Sequence, residues 1–168
     1  KIQESGVKKN ALFDVCKKYN IKKMGFDSLH ATYSLYERWR NTLQDVDFIP
    51  MDSEIEGIRK CKEPEEIDAI LKAIGISTKA FVDVFDKIRP GRTEREIANE
   101  IDYSMRRLGA DSPSFETIVA SGERSALPHA FPTDKEIKAG EMVIIDFGAK
   151  VDGYCSDETC TVSVGETN

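Results

Sequence analysis

The chain has 168 residues and a formal net charge of −6, with 30 acidic against 24 basic side chains. That balance argues against nucleic acid as a partner, because phosphate binding needs a concentrated basic surface. The composition, 40% hydrophobic and 32% charged, is ordinary for a globular protein, and no run of about 18 apolar residues is present to span a membrane.

No basic and apolar leader is visible, although the first residue is Lys1 and not Met. The lysine pairs Lys8-Lys9, Lys17-Lys18 and Lys22-Lys23 recur at the spacing of a solvated helix face. Cys16, Cys61, Cys155 and Cys160 contain no CxxC pair, so reduced thiols and a cytoplasmic location are expected.

Residues 4–19 read as a helix with Leu12, Phe13, Val15, Cys16 and Tyr19 on one side, ended by Asn20. Residues 22–26 follow as a strand. A second helix is expected over 31–43, with Tyr33, Tyr36 and either Trp39 or Leu43 inward, and a second strand over 46–51. His30 falls in this helical stretch near the surface and is assigned no role. Alternation of this kind suggests an α/β layer, here the closing part of a domain over 1–53. The charged stretch 54–63 reads as a linker, and a second domain is expected over 64–168.

Pro64 can open a helix, since its missing N–H costs nothing in the first turn. Ile67, Ile70, Leu71, Ile74, Phe81, Val84, Phe85 and Ile88 follow the helical period, and Pro90-Gly91 stops it. Thr93 and Glu96 form a capping box for a helix whose buried stripe is Ile97, Ile101, Met105 and Leu108, with Gly109 as its left-handed cap. Beyond Gly109 the period changes. Residues 115–120, 141–149, the vicinity of Tyr154 and 159–164 are rich in Val, Ile, Thr and aromatics and read as strands. Two helices followed by a mostly antiparallel sheet give an α+β class.

The residues that could carry chemistry cluster late. Asp146 ends the apolar run MVII, where a carboxylate is costly to bury unless it is paired or holds a metal. Asp157 lies on the return limb of the hairpin. A turn centred on Val151-Asp152 would set Asp146 opposite Asp157, and a divalent cation between them would turn repulsion into attraction. A turn centred on Asp152-Gly153 would set Asp146 opposite Thr159 instead, and a bulge could restore the first pairing. Asp152 and Asp157 also read as plain turn and strand-end residues, and Asp146 as an acceptor for backbone amides. His129, in LPHA, reads either as a group that hydrogen-bonds a substrate carbonyl or as a structural partner. Cys155 and Cys160 flank Asp157, but without a second pair they make a poor zinc site.

The ordered set FETIVASG (115–122), LPHA (127–130), GEMVIIDFG (140–148), GYCSD (153–157) and TCT (159–161) resembles the first half of the pita-bread metallopeptidases. That family includes methionyl aminopeptidases, aminopeptidase P, prolidases and creatinase. The resemblance implies a partial pita-bread catalytic domain over 64–168, with Asp146 binding one metal, Asp157 bridging two, and His129 contacting the substrate carbonyl region. The 17-residue step from His129 to Asp146 and the 11-residue step on to Asp157 fit the family's order. Two divalent ions, manganese, cobalt or zinc, would polarise the scissile carbonyl and acidify a bridging water.

The residues ahead of Pro64 resemble the amino-terminal domain of the prolidase and aminopeptidase P branch. That points to short proline-containing peptides as substrates, cleavage of Xaa-Pro bonds, and a homodimer. The resemblance also implies one further histidine and two glutamates as metal ligands. No histidine follows His129, and Glu158 and Glu166 do not match those positions, so this chain is expected to be inactive by itself. Cys160 stands where many relatives carry arginine, which removes a charged donor near the metal site. A non-catalytic peptide-binding module and a creatinase-like amidinohydrolase are the alternatives, and both retained aspartates weigh against them.

Overall fold

The computed structural model describes residues 11–165. The chain divides into two compact units, one ending at Lys62 and the other beginning at Glu63.

The first unit holds helix α1 (Ala11–Lys18), strand β1 (Lys23–Asp27), helix α2 (Tyr33–Thr42), strand β2 (Asp47–Met51) and helix α3 (Ser53–Lys60). The part of the first expected helix that precedes residue 11 lies outside the described residues. Asn20 ends α1 as expected: it adopts φ 47°, and the Ile21 N–H reaches back to the Cys16 carbonyl at 2.9 Å. Strands β1 and β2 pair in parallel, Lys23 with Asp47 through Asp27 with Met51, and α2 is the crossover between them. Phe26, Tyr36, Trp39 and Phe48 stack over this pair, with ring centroids 5.3–6.5 Å apart.

Several expectations change here. Cys16 is buried, while Val15 and Tyr19 point to solvent and Phe13 sits at the edge of exposure, because an eight-residue helix over a two-stranded sheet buries only a narrow stripe. Tyr33, expected inward, is 77% exposed, since it opens the first turn of α2 ahead of the aromatic cluster. His30 lies in a turn, not a helix, and its Nδ1 sits 2.8 Å from the Asp27 carboxylate. The charged stretch read as a linker contains α3, whose acidic first turn and basic last turn suit the helix dipole.

The second unit begins with helix α4 (Pro64–Val84), which Pro64 opens at its first position inside a Glu63–Glu66 capping box. Helix α5 (Glu94–Arg107) starts from the Thr93–Glu96 capping box and closes at Gly109, φ 105°. Ile97, Ile101 and Met105 have no exposed surface, and each contributes roughly 1.5–3 kcal/mol of burial. They pack with Val119, Val143, Ile145 and Phe147 from the sheet.

Helix α4 turns inward only part of the face expected: Val84 is buried, and Phe81 and, just beyond the helix end, Ile88 pack against the core, but the rest differs. Ala73, Ser77, Ala80 and Val84 are buried, while Ile67, Leu71, Ile74 and Phe85 are exposed. Small side chains let the helix approach the sheet closely, and the larger ones are then displaced to the rim.

The strands are β3 (Ser112–Pro113), β4 (Ile118–Ser121), β5 (Met142–Phe147), β6 (Ala149–Val151), β7 (Tyr154–Cys155) and β8 (Glu158–Ser163). They form two antiparallel sheets, ordered β4-β5-β8 and β3-β6-β7. The expected strand from residue 115 begins at Ile118 instead. In β5 the odd positions Val143, Ile145 and Phe147 are buried under the helices, and the even positions Met142, Ile144 and Asp146 face the open side. None of the helices among the described residues is long and apolar enough to cross a membrane.

Candidate metal centre

One long hairpin carries both aspartates. Its tip is the two-residue turn Asp152-Gly153, with φ 51° and 89°. Positive φ at both positions is the turn geometry whose twist matches that of the strands, and Asp-Gly is a preferred sequence for it. This turn fixes the pairing of Val151 with Tyr154 and Lys150 with Cys155. The same register runs on into Phe147 with Glu158 and Asp146 with Thr159. Asp146 is therefore opposite Thr159, and the pairing of Asp146 with Asp157 is not formed, because the turn is centred one residue later than Val151-Asp152.

The carboxylates nevertheless share a face. Asp157 falls opposite Gly148, two residues before Thr159 on the same strand direction. Asp157, Thr159 and Thr161 are exposed, while Ser156 between the strands is buried, so the alternation puts Asp157 on the open side with Asp146. Diagonal neighbours of this kind lie roughly 7–8 Å apart at Cα, closer between side chains. The Thr159 hydroxyl donates to Asp146 Oδ1 at 2.7 Å, which orients that carboxylate. Hard oxygen donors on one open face suit a divalent cation. They make only part of a shell: no group of three His, Cys, Asp or Glu side chains among the described residues is placed to hold a metal ion.

His129 is exposed on a turn that follows a short 3-10 segment, Gly122–Ala126. Its loop leaves β4 at Ser121, which pairs with Val143; Asp146 pairs with Ile118 at the other end of that strand. That offset is about 10 Å along the strand. The structure brings the two aspartates onto one surface and does not join His129 to them in a metal-binding cluster.

The loop is held by a carboxylate that the motifs did not single out. Glu94 has no exposed surface. It accepts from the Ser121 amide (2.9 Å) and hydroxyl (3.0 Å), from Arg124 Nε (3.0 Å), and from the Thr133 amide (3.1 Å) and hydroxyl (2.7 Å). Burial pushes its pKa up, but the donors from Thr133 and Ser121 outweigh it and hold the carboxyl below its ordinary range. Arg124 also donates to the Phe131 carbonyl at 2.7 Å, closing the loop from inside. Next to it, Lys135 bridges Ser121 and Glu141 at 2.7 and 2.8 Å. Beside Thr93 and Glu96 in a capping box, Glu94 reads as an ordinary first-turn acid; its partners lie 27 to 39 residues away.

Cys160 does not lie on the open face that carries Asp146 and Asp157. It pairs with Ile145 and packs against the helix-side core, where burial, with the Glu158 charge behind it, raises its thiol pKa. Alternation within β8 places every second residue on that side, so a substitution here changes packing and not the open surface.

Residues 68–168 match the model of metallopeptidase family M24, and residues 2–61 match that of the creatinase/prolidase N-terminal domain. The chain belongs to metallopeptidase family M24. Among relatives of this M24 chain, the uncharacterised peptidase YqhT of Bacillus subtilis is 41% identical over 91% of the chain and 43% of its own length. An Xaa-Pro dipeptidase of Pyrococcus furiosus is 40% identical, over 89% of the chain and 42% of its own length. The solved Xaa-Pro dipeptidase of Bacillus anthracis superposes with a TM-score of 0.90 at 41% identity, covering 98% of the chain and 46% of that structure. The X-Pro aminopeptidase of Thermotoga maritima gives 0.88 at 40% identity, over 95% and 45%. The chain thus spans less than half the length of these relatives. Its fold class is the α+β arrangement of a creatinase-type N-terminal unit followed by part of a pita-bread domain.

Proposed function

We propose that the complete protein is a dinuclear-metal exopeptidase that hydrolyses Xaa-Pro bonds in short peptides, and that this chain carries the first part of its site. The observation that carries the reading is the placement of Asp146 and Asp157 as diagonal neighbours on one open face of a single hairpin. Membership of family M24 and the dipeptidase relatives support it.

When bound, two divalent cations, manganese, cobalt or zinc, supply the positive charge that polarises a carbonyl and acidifies water. Asp146, its carboxylate oriented by Thr159, would hold one of them, and Asp157 would be shared by both. His129, on its anchored loop, donates a ring N–H to the substrate carbonyl oxygen as that oxygen gains negative charge. The remaining ligands come from outside the described residues, so residues 1–168 alone are expected to leave Xaa-Pro dipeptides uncleaved. A homodimer in the cytoplasm completes the reading; four cysteines without a CxxC pair support that compartment. Retention of both aspartates disfavours a non-catalytic module or a metal-free amidinohydrolase.

The test uses the complete protein with manganese and an Xaa-Pro dipeptide. Chelation should abolish hydrolysis, and activity that survives it overturns the mechanism. Asp157→Ala should lower the manganese stoichiometry from two; unchanged metal content would show that Asp157 is not a ligand. His129→Ala should lower kcat about 10²–10³-fold at unchanged metal content.

A further inference from the structure

Asp157 sits at a break in the sheet. The ladder is regular through β6 and β7 and again through β5 and β8, but between them Gly148 and residues 156–157 belong to no strand. A metal ligand at an irregular position needs its orientation set by something other than the ladder, and a dense group of hydrogen bonds surrounds this one.

Every polar atom of Ser156 is engaged. Its N–H donates to the Ala149 carbonyl at 2.9 Å, and its carbonyl accepts from the Ser114 hydroxyl at 2.8 Å. Its hydroxyl oxygen accepts the Ala149 N–H at 2.9 Å and lies 2.8 Å from the hydroxyl of Ser77 on α4. Ser77 has no exposed surface, and Ser156 is 3% exposed. Ser77 has one hydrogen to give and also touches the Glu158 carboxylate, the strongest acceptor within reach. The consistent assignment has Ser77 donating to Glu158 and Ser156 donating to Ser77. Thr78 adds a second bond to Glu158 at 2.8 Å.

The residues on both sides of Asp157 are thus tied to helix α4 on the buried side of the sheet. Asp157, of opposite parity, is turned to the open side. Gly148 completes the arrangement: a Cβ there would lie 2.0 Å from the Ser156 carbonyl oxygen, so only glycine admits this close approach.

We propose that Ser156, held by Ser77, is a positioning residue that orients Asp157 toward the metal centre. It rests on the assignment of Asp157 as a metal ligand. Partners behind a metal ligand set its orientation, and losing one typically costs about 10–100-fold in metal affinity.

The experiment is manganese titration of the complete protein, metal-free at the start, for wild type, Ser156→Ala, Ser77→Ala, the double variant and Asp157→Ala. Thermal unfolding of each metal-free protein is recorded alongside. Ser156→Ala should raise the half-saturating manganese concentration about 10–100-fold with the stoichiometry kept. Ser77→Ala should give a smaller loss in the same direction, and the double variant should be no worse than Ser156→Ala, as for residues acting through one chain of bonds. Saturating manganese should restore the KM for an Xaa-Pro dipeptide, which a general loss of structure would not do.

Wild-type manganese affinity in both serine variants, with a site lost in Asp157→Ala, overturns the positioning role alone. Additive losses from Ser77 and Ser156 overturn it too. Full stoichiometry in Asp157→Ala removes the ligand assignment and this inference with it. Should Ser156→Ala fail to fold, the Ser77→Ala titration decides.

Discussion

Glu94 is a carboxylate with no exposed surface that accepts from Ser121, Arg124 and Thr133. Replacing it by Gln keeps the shape but removes the charge that faces Arg124 and leaves donors short of acceptors. The expected destabilisation is about 3 kcal/mol, read by denaturant unfolding. Hydrogen exchange should rise in residues 122–133 before it rises in β5. The folded carboxyl lies below its ordinary value of 4.5, so its contribution is present above that value and is lost as pH falls through the folded one. The gap between wild type and Glu94→Gln should therefore be constant near neutrality and narrow below about pH 4.5.

Asp102 has the opposite sign. Burial raises its pKa above 3.8, although Thr117 donates to it at 2.5 Å. A raised carboxyl stabilises the fold most below its unfolded value and loses that contribution as pH rises through the folded one. Asp102→Asn, which keeps an acceptor for Thr117, should raise the melting temperature at pH 7. The gain should vanish as pH falls toward 4. No gain at pH 7 would show that the charge is better compensated than its burial suggests.

At the scale of the element, the hairpin is set by its turn. Asp152 and Gly153 both occupy the left-handed region, and a side chain at Gly153 would be strained by about 1–2 kcal/mol. Gly153→Val should lower stability by at least that much. Gly148→Ala should cost more, since its Cβ meets the Ser156 backbone carbonyl, which cannot swing aside, as well as the Ser114 hydroxyl. A melting temperature for Gly148→Ala within a degree of wild type would show that the 148–156 approach is looser than the structure has it.

The Thr93–Glu96 capping box, the Asn20 and Gly109 stops and the α5 stripe were legible because local spacing alone specifies them. The face of α4 was legible only towards its C-terminal end, at Phe81 and Val84, with Ile88 just beyond. Its apolar residues fit a helical period on two overlapping faces, and the small residues Ala73, Ser77 and Ala80 won because the sheet comes close. The register across the hairpin was legible only as two alternatives, and the φ values of the turn chose between them.

For the whole molecule, a ligand that binds only the folded state raises its apparent stability in proportion to the logarithm of its concentration over its dissociation constant. Manganese at about 100 times that constant should stabilise the complete protein by about 2.7 kcal/mol, and a chelator should reverse the shift. A melting temperature that ignores manganese would count against a metal centre held by Asp146 and Asp157.

By itself, the sequence determined the family, the α+β class and the identity of the candidate ligands, because each rests on residue type and local order. Tertiary structure decided the rest. It turned Cys160 away from the open surface, buried Glu94 beneath the His129 loop, and joined Ser77 to Ser156. Those relations link residues tens of positions apart, where no local period or spacing carries a signal, and only the packed chain brings them within hydrogen-bond reach.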